Sequence, residues 1–388
     1  MKINKDFIGI FLIIFCVSIS LFVQFKSPYY YLAVAVALFG FINRKKINFG
    51  ILRIYILILV LTSTSILGGF YDFKNLFNQL AFLFISYYVA TSKAYSINYL
   101  VLQNYFRVLI FVLCLVVLYG YSIAVFDVID FDFNTYYRKV YDSVGLFKQE
   151  FGQLLAICLI SLFLYAKNLK YKISLYSIWV IIVLMIPLLV GARSIFFGFM
   201  CLLIVYSLKR KFAISLLSSS FAILLFHLIF PFALLLSSFK DLFYQFDPRW
   251  GMQYISVTES LKHPLGIGFF GWDEYVIVNS RTLYSYIEYL PIMMGYIQSE
   301  YIPTTLESSF FQFLIEIGIP CTLILYYLLF RISWRLLKND LTRFEFAILN
   351  SFIVITFSSF YEDNLFQPIW HIVLGFTLMI YIKYEKIH

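Results

Sequence analysis

The chain has 388 residues, of which 62% are apolar and only 13% are charged. A soluble globular domain carries about 25% charged residues, and a disordered chain would be poor in apolar residues rather than rich in them. The composition therefore excludes a soluble enzyme, a nucleic-acid-binding protein and a secreted disulfide-linked domain, despite a net charge of +9. A transmembrane helix takes roughly 20 apolar residues, so the apolar content allows about twelve spans. The sequence predicts an all-α polytopic membrane protein that forms one integral membrane domain over residues 1–388.

Twelve apolar runs predict the spans in chain order. The first, from Phe7 to Phe25, could pass for a signal peptide, but it is too long and no small-residue cleavage site follows it. The others lie at about 29–43, 51–70, 76–92, 100–126, 150–166, 173–191, 194–208, 212–237, 308–330, 344–360 and 365–382. The short seventh and eighth runs meet at Gly191–Ser194, where a pair of half-helices is an alternative interpretation.

The distribution of Lys and Arg predicts the orientation, because cytoplasmic loops are enriched in both. With a cytoplasmic N-terminus, nineteen of the thirty basic residues lie on the inner side, ten lie outside, and Arg107 lies within a span. We therefore predict that both termini are cytoplasmic. Residues 127–149 and 238–307 then face outward as long polar segments. Residues 238–307 form a large extracytoplasmic (periplasmic) loop between the ninth and tenth spans, in which we expect short helices lying on the membrane, and loops of this length often carry function.

Three patterns point to chemistry that their context does not support. The segment Gly266–Gly271 fits the GxGxxG pattern of nucleotide-binding proteins, but no βαβ unit surrounds it and it faces outward. Asp130–Asp132 resembles the DxD of metal-dependent sugar transferases, and we interpret it as part of a solvated loop. The four histidines are too scattered to predict a metal site, and we expect His227 and His371, which lie within spans, to be packed or hydrogen-bonded. We predict no metal and no cofactor.

Three charged residues near the outer ends of spans are candidates for chemistry. A guanidinium near hydrocarbon is costly and is a functional candidate by default, and two outward arginines, Arg193 and Arg249, would suit a lipid-linked phosphate or diphosphate. In the alternative interpretation, Arg193 contacts lipid headgroups and Arg249 is a surface residue exposed to solvent. Glu307 begins the tenth span, where a carboxylate could accept a proton or cap the helix. Glu316, deeper in the same run, should face protein or a cavity rather than lipid.

The order of these motifs resembles the O-antigen polymerase/ligase superfamily. The resemblance covers about 145–330 in motif and the whole chain in topology. It rests on the segments Gly145–Gly152, Gly191–Ser194 (G-x-R-S), Arg249-Trp250, His263–Trp272 (H-P-L-G-x-G-x-x-G-W) and a polar pair leading into x-x-Glu316-x-Gly318. Ligases of the superfamily carry a His, a small polar residue, nine residues and then Gly. This chain keeps the frame with Glu307, Ser308 and Gly318 but has Glu in place of His, which favours a polymerase of the Wzy type.

The resemblance implies a GT-C-like fold and a metal-independent glycosyltransferase of the bacterial cytoplasmic membrane. Such a polymerase builds O-antigen (lipopolysaccharide), capsule or exopolysaccharide by transferring a glycan from undecaprenyl diphosphate to a lipid-linked repeat unit on the outer face. By the same resemblance Arg193 and Arg249 hold the diphosphate and Glu307 is the base. Arg281 and His263 are further candidates for binding glycan or phosphate.

The implied partners are undecaprenyl-diphosphate-linked oligosaccharides and membrane lipids, with no nucleic acid. A chain-length regulator and a flippase are partners that the resemblance allows. Two alternative functions stay open: an O-antigen ligase, and a flippase or other transporter of lipid-linked oligosaccharides. Transporters tend to contain internal repeats, and the sequence contains none that we can detect.

Overall fold

A computed structural model describes residues 5–22, 27–42, 49–63, 69–70, 72–92, 248–287, 308–360 and 365–385, with single positions between 153 and 202. Over these residues the chain forms ten helices and no strand. The helices are α1 (Lys5–Phe22), α2 (Ser27–Ile42), α3 (Phe49–Ser63), α4 (Phe73–Ala90), α5 (Pro248–Lys262), α6 (Trp272–Ile287), α7 (Ser309–Glu316), α8 (Ile319–Leu337), α9 (Arg343–Ser358) and α10 (Pro368–Glu385). The predicted all-α class is confirmed for these segments and is compatible with a helical membrane protein.

Six of the predicted apolar runs coincide with helices α1–α4, α9 and α10. By length and composition, α8 is the one described helix that passes as a candidate membrane span, and shorter apolar stretches lie within α1, α2, α3 and α9. The runs predicted at about 100–126, 150–166, 173–191, 194–208 and 212–237 lie outside the described residues, apart from the single positions.

The tenth predicted run, at about 308–330, is not one continuous helix. It divides at Gly318, whose φ of +84° lies in the left-handed region and cannot continue a helix. Pro320 then occupies the first turn of α8, where its missing N–H is tolerated. Glu316 is therefore the last residue of the short helix α7 and not an interior residue of a continuous helix that begins near residue 308.

Helices α4 and α10 pack against each other at the centre of the bundle. Gly375 of α10 lies so close to α4 that a Cβ atom there would come within 2.7 Å of the Ser86 carbonyl oxygen. Tyr55 of α3 adds a hydroxyl contact of 2.5 Å with Ser86 Oγ. Small residues that allow close backbone approach are typical of helix interfaces in membranes. Helices α3, α8 and α9 pack around this central pair.

One end of the bundle collects basic and acidic side chains from three helices. Lys383 of α10 contacts the fully buried carboxylate of Glu345 in α9 at 2.7 Å, and Arg335 of α8 donates to the Tyr381 hydroxyl at 2.6 Å. Thr342 and Glu345 form a capping box at the start of α9. The end of α8, the start of α9 and the end of α10 therefore share this end, which leaves the α7–α8 break on the opposite end.

Candidate functional site

The start of α7 is attached to the turn that follows α9. Ser308 caps α7 by accepting a hydrogen bond from the backbone N–H of Phe311 at 3.4 Å. Its hydroxyl lies 3.1 Å from the carbonyl oxygen of Ser359 and 3.0 Å from that of Phe360. The helix-capping role considered for Glu307 thus belongs to Ser308. Glu307 itself lies outside the described residues and directly precedes this cap.

The end of α7 is joined to the glycine-rich segment Gly266–Gly271. Two backbone N–H groups of the segment, Ile267 and Gly268, donate to the carbonyl oxygens of Ile315 and Glu316 at 2.9 and 3.1 Å. On its other side, Ile267 accepts from the N–H of Phe70 at 3.1 Å. Two motifs that carried the resemblance therefore contact each other. The glycines allow this close packing of the backbone between helices.

Helices α5, α6 and α7 form a compact unit with defined directions. Ser256 of α5 donates to the Phe311 carbonyl at 2.5 Å, and Pro264 just after α5 accepts from Ile319 just after α7 at 3.0 Å. Because both separations are eight residues, α5 and α7 run parallel. Glu259 near the end of α5 and His263 just after it contact Tyr275 early in α6, so the end of α5 lies beside the start of α6.

These directions sort the predicted site residues into two groups. Arg249 lies in the first turn of α5, at the end of the unit where α7 begins. Arg281 is in the second half of α6, just after the non-helical residue Asn279. His263 follows the last residue of α5, about 21 Å from Arg249 at 1.5 Å per residue. The structure therefore does not bring His263 to the arginine end. Arg193 and Glu307 lie outside the described residues.

His263 instead belongs to a hydrogen-bonded chain with two residues that the sequence did not single out. The Tyr275 hydroxyl donates a short hydrogen bond to Glu259 Oε2 and lies 3.3 Å from His263 Nε2. Lys262 contacts the other oxygen of Glu259 at 2.8 Å, and Glu259 is only 2% exposed. Burial raises the pKa of Tyr275, and the hydrogen bond to Glu259 and its charge raise it further. Tyr275 therefore remains a donor to this carboxylate.

Replacing Tyr275 with phenylalanine is expected to destabilise the protein by roughly 2 kcal/mol, because a hydrogen bond to a charged group is lost while the ring is kept. The pKa of Tyr275 is raised above about 10, its ordinary value, so the unfolded chain loses this proton first as pH rises. The contribution of this hydrogen bond to the free energy of unfolding is fully present below about pH 10 and is lost as the pH rises above that value. Thermal unfolding in nanodiscs at several pH values measures both effects.

Tyr254→Phe is the matched control for this prediction. Tyr254 lies on α5 and is partly exposed, so the same change should alter the thermal midpoint little at any pH. A Tyr275→Phe protein as stable as Tyr254→Phe would contradict the assigned hydrogen bond. A stability difference that does not narrow in alkaline buffer would contradict the assigned pKa direction.

Two other expectations are confirmed by the described residues. Glu316 is fully buried, and Gln312 donates to its Oε1 at 3.0 Å, so it faces protein as expected. His371 is packed and hydrogen-bonded, with Nε2 2.9 Å from Gln79 Oε1. The Glu259–Tyr275 contact had no sequence signal, because the two residues lie on separate helices. Ser308 did have one, since a serine before an apolar helix is a common N-cap.

No family model, curated protein sequence or solved structure matches this chain.

Proposed function

We propose that the protein is a polysaccharide polymerase with about twelve spans and both termini in the cytoplasm. It transfers a growing glycan from undecaprenyl diphosphate to a lipid-linked repeat unit on the outer face of the bacterial cytoplasmic membrane. The observation that carries this proposal is the arrangement of α5, α6 and α7. Because α5 and α7 run parallel, a cationic site is favoured at the end of the unit where α7 begins, with Arg249 in the first turn of α5, and we assign Arg281 of α6 to the same site. Glu307, next to Ser308 in the chain, would accompany them.

Gly198, which follows Arg193 in the chain by five residues, packs against α9. A Cβ atom at Gly198 would come within 2.3 Å of the carbonyl oxygen of Val354, which lies four residues before the last residue of α9. The turn after α9 provides the acceptors of Ser308. Arg193 precedes Gly198 by five residues, and five residues of extended chain reach at most about 18 Å. Arg193 itself lies outside the described residues, and its role beside Arg249 is part of the proposal.

The chemistry requires few groups. The acceptor hydroxyl oxygen attacks the anomeric carbon, the bond from that carbon to the diphosphate oxygen breaks, and the electron pair leaves with the diphosphate. Arg193 and Arg249 neutralise the charge that develops on the diphosphate, an electrostatic role for which one donor is worth about 3–4 kcal/mol. Glu307 takes the proton of the acceptor hydroxyl, a contribution of about 10²–10⁴-fold. Fixed arginines would thus do the work for which soluble sugar transferases use a metal ion.

The test is polymerisation by the purified protein in nanodiscs, given its lipid-linked repeat unit and excess EDTA. We expect a ladder of products on a gel from the wild type. Glu307→Gln and Arg193→Ala proteins with unchanged thermal midpoints should produce no ladder. Absence of a ladder from the wild type with the cognate substrate would refute the polymerase. A ladder that survives both substitutions would keep the function and refute the site.

A ligase is the second candidate. The frame that ligases share, a small polar residue and a glycine separated by nine residues, corresponds here to the cap and the end of α7 at Ser308 and Gly318. This geometry would be the same in both enzymes. The product distinguishes them, because a polymerase leaves the glycan on undecaprenyl diphosphate and a ligase moves it to a lipid A core.

A further inference from the structure

A cavity with about 40 Å³ of internal space lies between α3, α4, α8 and α10, beneath Phe313 of α7 and Phe269 of the glycine-rich segment. Its volume exceeds the roughly 10–15 Å³ that one water molecule needs. The lining is almost wholly aliphatic and aromatic, and Leu80, on one side, is 40% exposed on the surface of α4. The cavity therefore reaches toward the outside of the bundle, where we place lipid.

Two polar side chains of the lining, Gln79 and His371, form a pair with fixed donors and acceptors. Gln79 Nε2 donates to the carbonyl oxygen of Phe366 at 3.0 Å. Because the carbonyl of Phe366 can only accept, the Gln79 atom facing it must be the amide nitrogen, which fixes the orientation of the amide. The amide oxygen, Gln79 Oε1, then faces His371 Nε2 at 2.9 Å. Since Oε1 can only accept, the proton of the neutral imidazole must be on Nε2. Nδ1 of His371 therefore carries a lone pair and is a hydrogen-bond acceptor.

That acceptor is buried without a partner among the described residues. His371 is only 3% exposed, and none of these residues provides a hydrogen bond to Nδ1. A buried polar atom with no partner is unfavourable by an amount comparable to a lost hydrogen bond, and polar residues within membrane helices are functional candidates by default. A group that fills the apolar cavity and donates one hydrogen bond would satisfy Nδ1.

We infer that the cavity binds the hydroxyl group of a membrane-resident alcohol, with the O–H donating to His371 Nδ1 and the hydrocarbon leaving past Leu80. The chemistry of the lining selects this class. An ether or ester has no proton to donate, a carboxylate or phosphate lacks a cation among the described lining residues, and an ammonium group would lose its hydration against apolar walls. This inference does not depend on the proposed function, since it concerns a different pair of residues from the arginine end.

Decanol and decyl methyl ether are the probes, because they differ only in the ability to donate. The protein has four histidines, so ¹⁵N-histidine-labelled protein in nanodiscs gives few imidazole signals, and His371→Gln identifies that of His371 by its loss. We expect an Nε2-protonated imidazole whose Nδ1 resonance moves in a saturable manner with decanol and stays in place with the ether. An imidazole protonated on Nδ1, or equal movement with both compounds, would refute the inference. No movement with either would assign the cavity to water and also refute it.

A stability measurement uses a variant that keeps the helix contact. In His371→Gln, the new amide nitrogen can replace Nε2 as the donor to Gln79 while nothing replaces Nδ1. A ligand that binds only the folded state raises the thermal midpoint. We therefore expect decanol to raise the midpoint of the wild type above its value with the ether, and the two midpoints of His371→Gln to be equal. A decanol effect retained in His371→Gln would show that Nδ1 is not the acceptor.

Discussion

Replacing Gly268 with alanine should destabilise the protein by at least about 3 kcal/mol, a large loss for one methyl group. A Cβ atom at this position would lie 1.5 Å from the carbonyl oxygen of Phe70 and 2.6 Å from its carbonyl carbon. Neither backbone atom can move away easily, since the N–H of Phe70 is itself bonded to Ile267. The φ of +132° at Gly268 adds strain for any side chain. Thermal unfolding in nanodiscs measures the loss.

Gly69→Ala separates the steric clash from the backbone strain. Gly69 also has a positive φ, +90°, but a Cβ atom there would meet no atom of the described residues within 4 Å. Alanine at position 69 should therefore lower stability only by the strain of a left-handed conformation, about 1–2 kcal/mol. Equal losses for the two variants would mean that Gly268 does not lie against Phe70. In that case the glycine-rich segment would not join α4 to the α5–α7 unit.

The sequence predicts the helices well where composition alone decides them. The bounds of α1–α4, α9 and α10 differ by only a few residues from the apolar runs, except at the end of α3. The break between α7 and α8 was missed because the apolar run continues through it. Its signals, Gly318 and Pro320, were present in the sequence, but a glycine inside an apolar run does not by itself reveal a left-handed φ.

The contacts that build the candidate site and the cavity could not be predicted, because they join residues far apart in the chain. Gln79 and His371 are separated by 292 positions, and neither residue type indicates the other. The same holds for the glycine-rich segment. Its sequence context argued against nucleotide binding, but it could not identify Phe70 as the neighbour whose backbone leaves room only for glycine at position 268. Sequence patterns report the period of an element, whereas these pairings depend on how the elements pack.

The substitution with the largest expected effect on activity is Arg249→Ala, which should lower the rate of polymerisation by about 10²–10³-fold. If Arg249 neutralises the diphosphate as it leaves, its interaction strengthens in the transition state, so kcat should fall more than KM rises. Arg249→Lys should recover only part of the rate, because an ammonium group cannot form the bidentate contact of a guanidinium. Product formation from the lipid-linked repeat unit, measured at several substrate concentrations, gives both constants.

Arg331→Ala is the matched control, because Arg331 is exposed on α8 in the half that leads to the basic end of the bundle. It should leave kcat and KM unchanged. Arg281→Ala tests whether α6 contributes to the site: if Arg281 binds the diphosphate together with Arg249, its loss should weaken substrate binding. Activity equal to that of Arg331→Ala in all the arginine variants of the unit would place the diphosphate elsewhere. If only Arg249→Ala loses activity, Arg249 keeps its role at the leaving diphosphate and α6 does not contribute to the site.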